Sequence, residues 1–222
     1  MDTSSPDRYV VPEPASILVV CEANICRSPY VEAVMRESFA FAGLEARFAV
    51  RSAGLSAIDG APMCGLAQQL LADQGAATDG LGAHVSRALD VELIAGADLI
   101  LVAELDHRAR INRTLPGVQS KVFTLLEIAH LAGVDSETAM TTSEDDTFSN
   151  LVARLNFYRG LVPLDAAPRT WMDRARRGRR NRDPFSVIDG HTSSARDHSA
   201  IFPVLFAAAT RFSEHAARHL AL

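Results

Sequence analysis

The segment Ile17-Leu18-Val19-Val20-Cys21-Glu22-Ala23-Asn24-Ile25-Cys26-Arg27-Ser28-Pro29 passes from an unbroken apolar run into a short loop that ends on a helix-start signal. A β-branched and leucine run without polar alternation is the pattern of a strand covered on both faces, as in a parallel sheet flanked by helices. Ser28 reads as an N-cap and Pro29 as the first helical residue, with Val31, Val34, Met35, Ser38 and Phe39 following at helical spacing toward Gly43. Strand, loop and helix in that order restrict the chain to few folds.

The alternation continues. Phe48-Ala49-Val50 reads as a second strand ending at Arg51-Ser52-Ala53-Gly54, and Leu66 to Leu71 as a helix stopped near Gly75. A short helix is expected around Arg87 to Ile94, a strand at Leu99 to Val102, a charged helix around Leu105 to Arg113 and a fourth strand at Lys121 to Leu125. This order predicts an α/β fold, a small doubly wound parallel four-stranded sheet with helices on both faces and right-handed crossovers. Ligands in such sheets bind beyond the carboxyl ends of the strands, where Cys21 falls. Residues 1–15, with Pro6, Pro12 and Pro14, read as a flexible lead-in, and 16–222 as a single domain. Within it, 132–182 has no strand pattern and carries turn signals at Pro163 and Pro168, so it reads as a helical insertion. Val204 to Leu220 is expected to close the fold as a helix.

Bulk properties narrow the function. A net charge of -5 argues against a nucleic-acid partner. No apolar run reaches the roughly 20 residues needed to span a bilayer, so no membrane insertion is expected. The start lacks the basic-then-apolar order of a secretory signal, and three cysteines do not suggest a disulfide framework, so a cytoplasmic location is expected. The basic run from Arg174 to Arg182 reads either as a solvated face or as a patch that steers acidic substrates toward a cleft.

Cys21 and Arg27 make the loop a phosphate-handling device. Only a thiolate attacks phosphorus well, and backbone N–H groups, a helix N-terminus and a guanidinium all favour the thiolate. The same donors suit a phosphoryl dianion, which Arg27 can grip in a planar, bidentate fashion. Attack by Cys21 would give a phosphocysteine, dividing hydrolysis into two displacements. Asp183, in Arg182-Asp183-Pro184-Phe185, is the candidate general acid and base, with Phe185 as a candidate wall beside an aromatic leaving group. Ser28 can donate a hydrogen bond to the sulfur. No metal and no cofactor is expected, because Arg27 and the amides supply the electrostatics and no His/Asp cluster shows ligand spacing.

The sequence resembles the low-molecular-weight protein tyrosine phosphatases, to which arsenate reductases of the same fold are related. The resemblance rests on Val20 to Pro29, then Ser52-Ala53-Gly54, His84 and Arg87, Ala97-Asp98-Leu99-Ile100-Leu101, and Asp183-Pro184-Phe185. It implies the phosphotyrosine phosphatase I-like fold, with Cys21 as nucleophile, Arg27 as clamp and Asp183 as general acid. It also implies a phosphate-binding loop of Glu22, Ala23, Asn24, Ile25, Cys26 and Ser28, supported by Ser52 and His84. Cys26 resembles the family's second loop cysteine, a reversible disulfide partner of the nucleophile; the alternative is a buried packing thiol. Ala23 stands where the family usually has Gly, which would strain the loop if φ were positive there. Glu22 is expected to point away from the phosphate. Ile58 falls where the family often has an aromatic wall, leaving Phe185 as the wall.

The expected activity is hydrolysis of phosphotyrosine in proteins, a tyrosine kinase among the candidate partners, or of similar aryl phosphate monoesters. The alternatives are arsenate reduction with external thiols and a weakly active phosphotyrosine-binding protein.

Overall fold

The computed structural model describes residues 13–75, 84–138, 147–162, 184–190 and 195–220. Most of the lead-in, the general-acid candidate Asp183, the arginine run and both turn-signal prolines lie outside the described residues. The strands are β1 (Ala15–Cys21), β2 (Phe48–Gly54), β3 (Leu99–Val102) and β4 (Val122–Thr124), all parallel in the order β2-β1-β3-β4. The sheet begins at Ala15, paired with Phe48, within the segment expected to be lead-in.

The apolar run of β1 is unbroken because both of its faces are covered. Ile17 and Val19 enter one core, and Leu18 and Val20 enter the other. The larger core lies between the sheet and α1 (Arg27–Phe41), α5 (Leu125–Thr138), α6 (Phe148–Arg159) and α8 (Phe202–Leu220). The smaller contains Ile94 of α3 (Val91–Gly96) and Ile111 of α4 (Leu105–Thr114). α2 (Gly65–Asp73) and the short α7 (Ala195–Ala200) complete the described helices.

Four local expectations are corrected. α1 starts at Arg27, with Cys26 as its N-cap and no side-chain cap; the Ser28 hydroxyl is used elsewhere. The short helix starts at Val91, capped by Asp90, whose side chain accepts from Leu93 N at 2.7 Å, while residues 84–88 remain extended beside the loop. The fourth strand ends at Thr124. Leu125 opens α5, a core helix buried almost throughout its first two turns, so the stretch expected to start an insertion at 132 begins inside the core. α5 and α1 both pack against α8, which starts at Phe202.

Candidate active site

β1, β2 and β3 end together, and the loop 22–26 lies across their carboxyl ends. β2 anchors it, since Leu55 N donates to Cys21 O and Ser56 N to Glu22 O. Gly54 permits this approach. A Cβ there would stand 2.8 Å from both Asn24 N and Glu22 O. The loop then enters α1, whose N-terminus lies beside Cys21, and a helix N-terminus favours an anion.

Cys21 is 2% exposed, and its Sγ lies 3.1 Å from Ser28 Oγ. Asn24 Nδ2 donates to Ser28 Oγ at 2.9 Å and to Ser52 Oγ at 2.8 Å. The Ser28 proton is therefore directed either to Cys21 Sγ or to Ala53 O at 3.4 Å. Ser52 in turn donates to Glu32 Oε2 at 2.6 Å, and Arg87 N donates to Asn24 Oδ1 at 3.0 Å. His84 Nε2 lies 2.9 Å from Asn24 O. The structure thus gathers Cys21, Asn24, Ser28, Ser52 and His84 around one loop.

The left-handed residue of the described loop is Asn24, at φ 54°, not Ala23. Asparagine tolerates that region better than other residues with a Cβ, and three hydrogen bonds hold its side chain. Ala23 carries no such strain, which removes the reason for expecting it to weaken the loop.

Arg27 is 3% exposed, and its guanidinium is already engaged. Nη1 donates to Glu104 Oε1 at 2.5 Å and to Val187 O at 2.8 Å, and Nη2 lies 3.2 Å from Asp189 Oδ2. Burial works against its charge, but Cys21 and the two carboxylates outweigh burial and favour the charged form. Glu104 and Asp189 were missed by sequence reasoning. Glu104 lies just past the carboxyl end of β3, so the rule that located Cys21 could have found it.

Glu22 turns away toward α4, with Oε2 2.7 Å from Arg110 Nη1 and 3.5 Å from His107 Nε2. Its partial burial raises the carboxyl pKa, but Ser56 and Arg110 outweigh that and hold it below its ordinary range. His107 is 3% exposed beneath the loop, and burial together with Arg27 holds its pKa down. Cys26 is buried, with Sγ 3.1 Å from His198 Nε2, and burial with the neighbouring Cys64 pushes its thiol pKa up.

Of the two wall candidates, Phe185 is not open to an incoming substrate, whereas Ile58 is exposed. Phe185 is 3% exposed and packs into the larger core. Ile58 is 82% exposed, its carbonyl accepting from Ser86 Oγ at 2.6 Å.

The class defined here is an α/β protein with a cysteine-and-arginine loop at the carboxyl edge of a four-stranded parallel sheet. The chain belongs to the low molecular weight phosphotyrosine protein phosphatase family, whose profile it matches over residues 16–156. It is 36% identical over 106 residues to the low molecular weight protein-tyrosine-phosphatase Etp of Escherichia coli (strain K12), covering 48% of this chain and 66% of Etp. The match thus spans just under two thirds of that relative. A protein-arginine-phosphatase of Bacillus subtilis (strain 168) is 35% identical over 111 residues, covering 50% of this chain and 70% of the relative. The crystal structure of Erwinia amylovora tyrosine phosphatase AmsI shares the fold, with a TM-score of 0.57 and 23% identity over 90% of this chain and 92% of AmsI. Among the described residues no helix is long and apolar enough to cross a membrane.

Proposed function

We propose that the protein hydrolyses phosphotyrosine in proteins, or similar aryl phosphate monoesters, through a phosphocysteine on Cys21. The observation that carries this reading is the buried Cys21 Sγ, 3.1 Å from Ser28 Oγ, at the junction of β1 with a loop that opens α1 at Arg27.

In the first displacement the Cys21 thiolate forms an S–P bond as the P–O bond to the aryl group breaks. Asp183 gives its proton to the leaving oxygen. Arg27 and the loop amides hold the equatorial oxygens, where charge stays concentrated through the transition state. In the second, water attacks phosphorus, Asp183 takes its proton, and the S–P bond breaks to release phosphate. The Ser28 hydroxyl donates to the departing sulfur. Asn24, Ser52 and His84 are positioning residues that keep the loop in shape. Pro184, directly after Asp183, opens the segment whose Val187 carbonyl and Asp189 carboxylate meet Arg27, which supports Asp183 as the acid. The cytoplasm is the fitting compartment, since it keeps such a thiol reduced.

The test compares phosphotyrosine peptide, phosphoarginine peptide, para-nitrophenyl phosphate and arsenate with a thiol donor. Hydrolysis of the aryl phosphates is expected, abolished in Cys21→Ser and lowered about 100-fold or more in Asp183→Asn. Phosphoarginine turnover with no aryl phosphate turnover would replace the substrate class, and arsenate-driven thiol consumption alone would replace the reaction.

A further inference from the structure

We infer that Cys26, Cys64 and His198 form a binding site for a borderline-soft divalent cation, with zinc as the ion of matching chemistry. The inference is independent of the phosphatase reading. The three residues come from the phosphate loop, the residue before α2, and α7, so no sequence spacing signals the site.

Their ligand atoms all lie within 4.8 Å of one another. His198 Nε2 is 3.1 Å from Cys26 Sγ and 3.7 Å from Cys64 Sγ. A tetrahedral zinc ion, with bonds of about 2.3 Å to sulfur and about 2.0 Å to nitrogen, needs S···N distances of about 3.5 Å and an S···S distance of about 3.8 Å. The two observed S···N distances bracket that requirement, and with the sulfurs within 4.8 Å of each other the ion enters once the side chains close in by up to about 1 Å. Two thiolates and an imidazole suit zinc and disfavour magnesium or calcium, which take oxygen ligands.

The backbone already holds the ligands together. Cys64 N donates to Ile25 O at 2.8 Å, tying the start of α2 to the loop residue beside Cys26. A Cβ on Gly190 would stand 2.7 Å from His198 Cα, so the segment after Phe185 lies directly against α7. Both thiols lose their protons on binding, one each, and His198 coordinates as the neutral imidazole. Affinity therefore falls as pH falls. The bound ion joins the loop beside Arg27 to α2 and α7.

The experiment uses the reduced full-length chain, stripped of metal with a chelator and titrated with Zn²⁺ alone against a chromophoric competitor, then with Co²⁺. One equivalent of zinc is expected at submicromolar Kd, with release of two protons. Co²⁺ should give thiolate charge-transfer absorption and the visible bands of tetrahedral coordination. Cys64→Ser and His198→Ala should each weaken zinc binding about 100-fold, and zinc should raise the melting temperature of the parent chain alone. Metal-free melting curves verify that both variants fold. Cys21→Ser should retain the full equivalent. Zinc binding no tighter in the parent than in the two ligand variants, or lost in Cys21→Ser, would overturn the assignment.

Discussion

Arg27 Nη2 stands 3.2 Å from Asp189 Oδ2, so the residue proposed to grip phosphate is paired with a carboxylate from the segment that follows Asp183. Glu104 holds the other side of the same guanidinium. A phosphoryl dianion must compete with both. Asp189 is the more weakly held partner, and its side chain is 29% exposed, so solvent screens much of its charge. Asp189→Asn is expected to tighten inhibition by inorganic phosphate about 3- to 10-fold while the chain stays folded. Weaker phosphate inhibition in that variant would mean that Asp189 orients Arg27 instead of competing for it.

Asn24 combines a left-handed backbone with three side-chain hydrogen bonds. Two substitutions separate these roles. Asn24→Gly adopts the left-handed backbone freely and loses the side chain; Asn24→Ala loses the side chain and keeps a Cβ in the left-handed region. Turnover should fall about 10- to 100-fold in each, because Ser28 loses the donor that orients its proton. Asn24→Ala should also be less stable than Asn24→Gly by about 1 kcal/mol, from the left-handed penalty on a residue with a Cβ. Equal urea midpoints for the two variants would show that φ at this position is not held in solution.

Much of this was legible from local pattern, and what was not had physical causes. β1 and β3 could be read because their apolar runs are buried on both faces, and Cys21 could be located because a loop follows the carboxyl end of β1. α5 was obscured by the same burial: Leu125 to Ala132 are all buried, so no polar face marks a helical period. The pairing of Glu104 and Asp189 with Arg27 was not legible, since it depends on elements distant in the chain, although Glu104's place past the carboxyl end of β3 was. Ser28 carried a cap signal that its hydrogen bonds to Cys21 and Asn24 override.

Gly54 tests how tightly the sheet holds the loop. The atoms that an added Cβ would meet, Asn24 N and Glu22 O, are backbone, so no rotamer change relieves the contact and the loop itself must move. Gly54→Ala is expected to retain its far-ultraviolet circular dichroism while phosphate affinity and turnover fall about 100-fold, as expected when a catalytic group is misplaced by about 1 Å. Unaltered kinetics in this variant would mean that the loop has more room than its contacts with β2 indicate.

Asp135 couples α5 to α6 and α8 and sets the protein's response to acid. Its Oδ1 accepts from Arg154 Nε at 2.6 Å, and its Oδ2 lies 2.9 Å from His215 Nε2. Burial raises the Asp135 pKa, but Arg154 and His215 outweigh it and hold the carboxyl below its ordinary value. The stability that this supplies is present above the unfolded carboxylate pKa of about 3.9 and is lost as pH falls through the lower folded value. His215 is held below its ordinary value chiefly by burial, against the pull of Asp135. Its unfolded form therefore takes up a proton first, and stability falls as pH drops through about 6.5. His107 and His130, also lowered by burial, act in the same direction. The urea midpoint should accordingly fall between pH 7.5 and pH 5.5, and His215→Gln should reduce that fall without abolishing it. Asp135→Asn at pH 7.5 should be destabilised by about 3 kcal/mol, the lower end for a broken buried pair because Arg154 keeps some access to water. A midpoint that rises on acidification, or a His215→Gln variant with the parent's full pH response, would remove this pair from the account of acid stability.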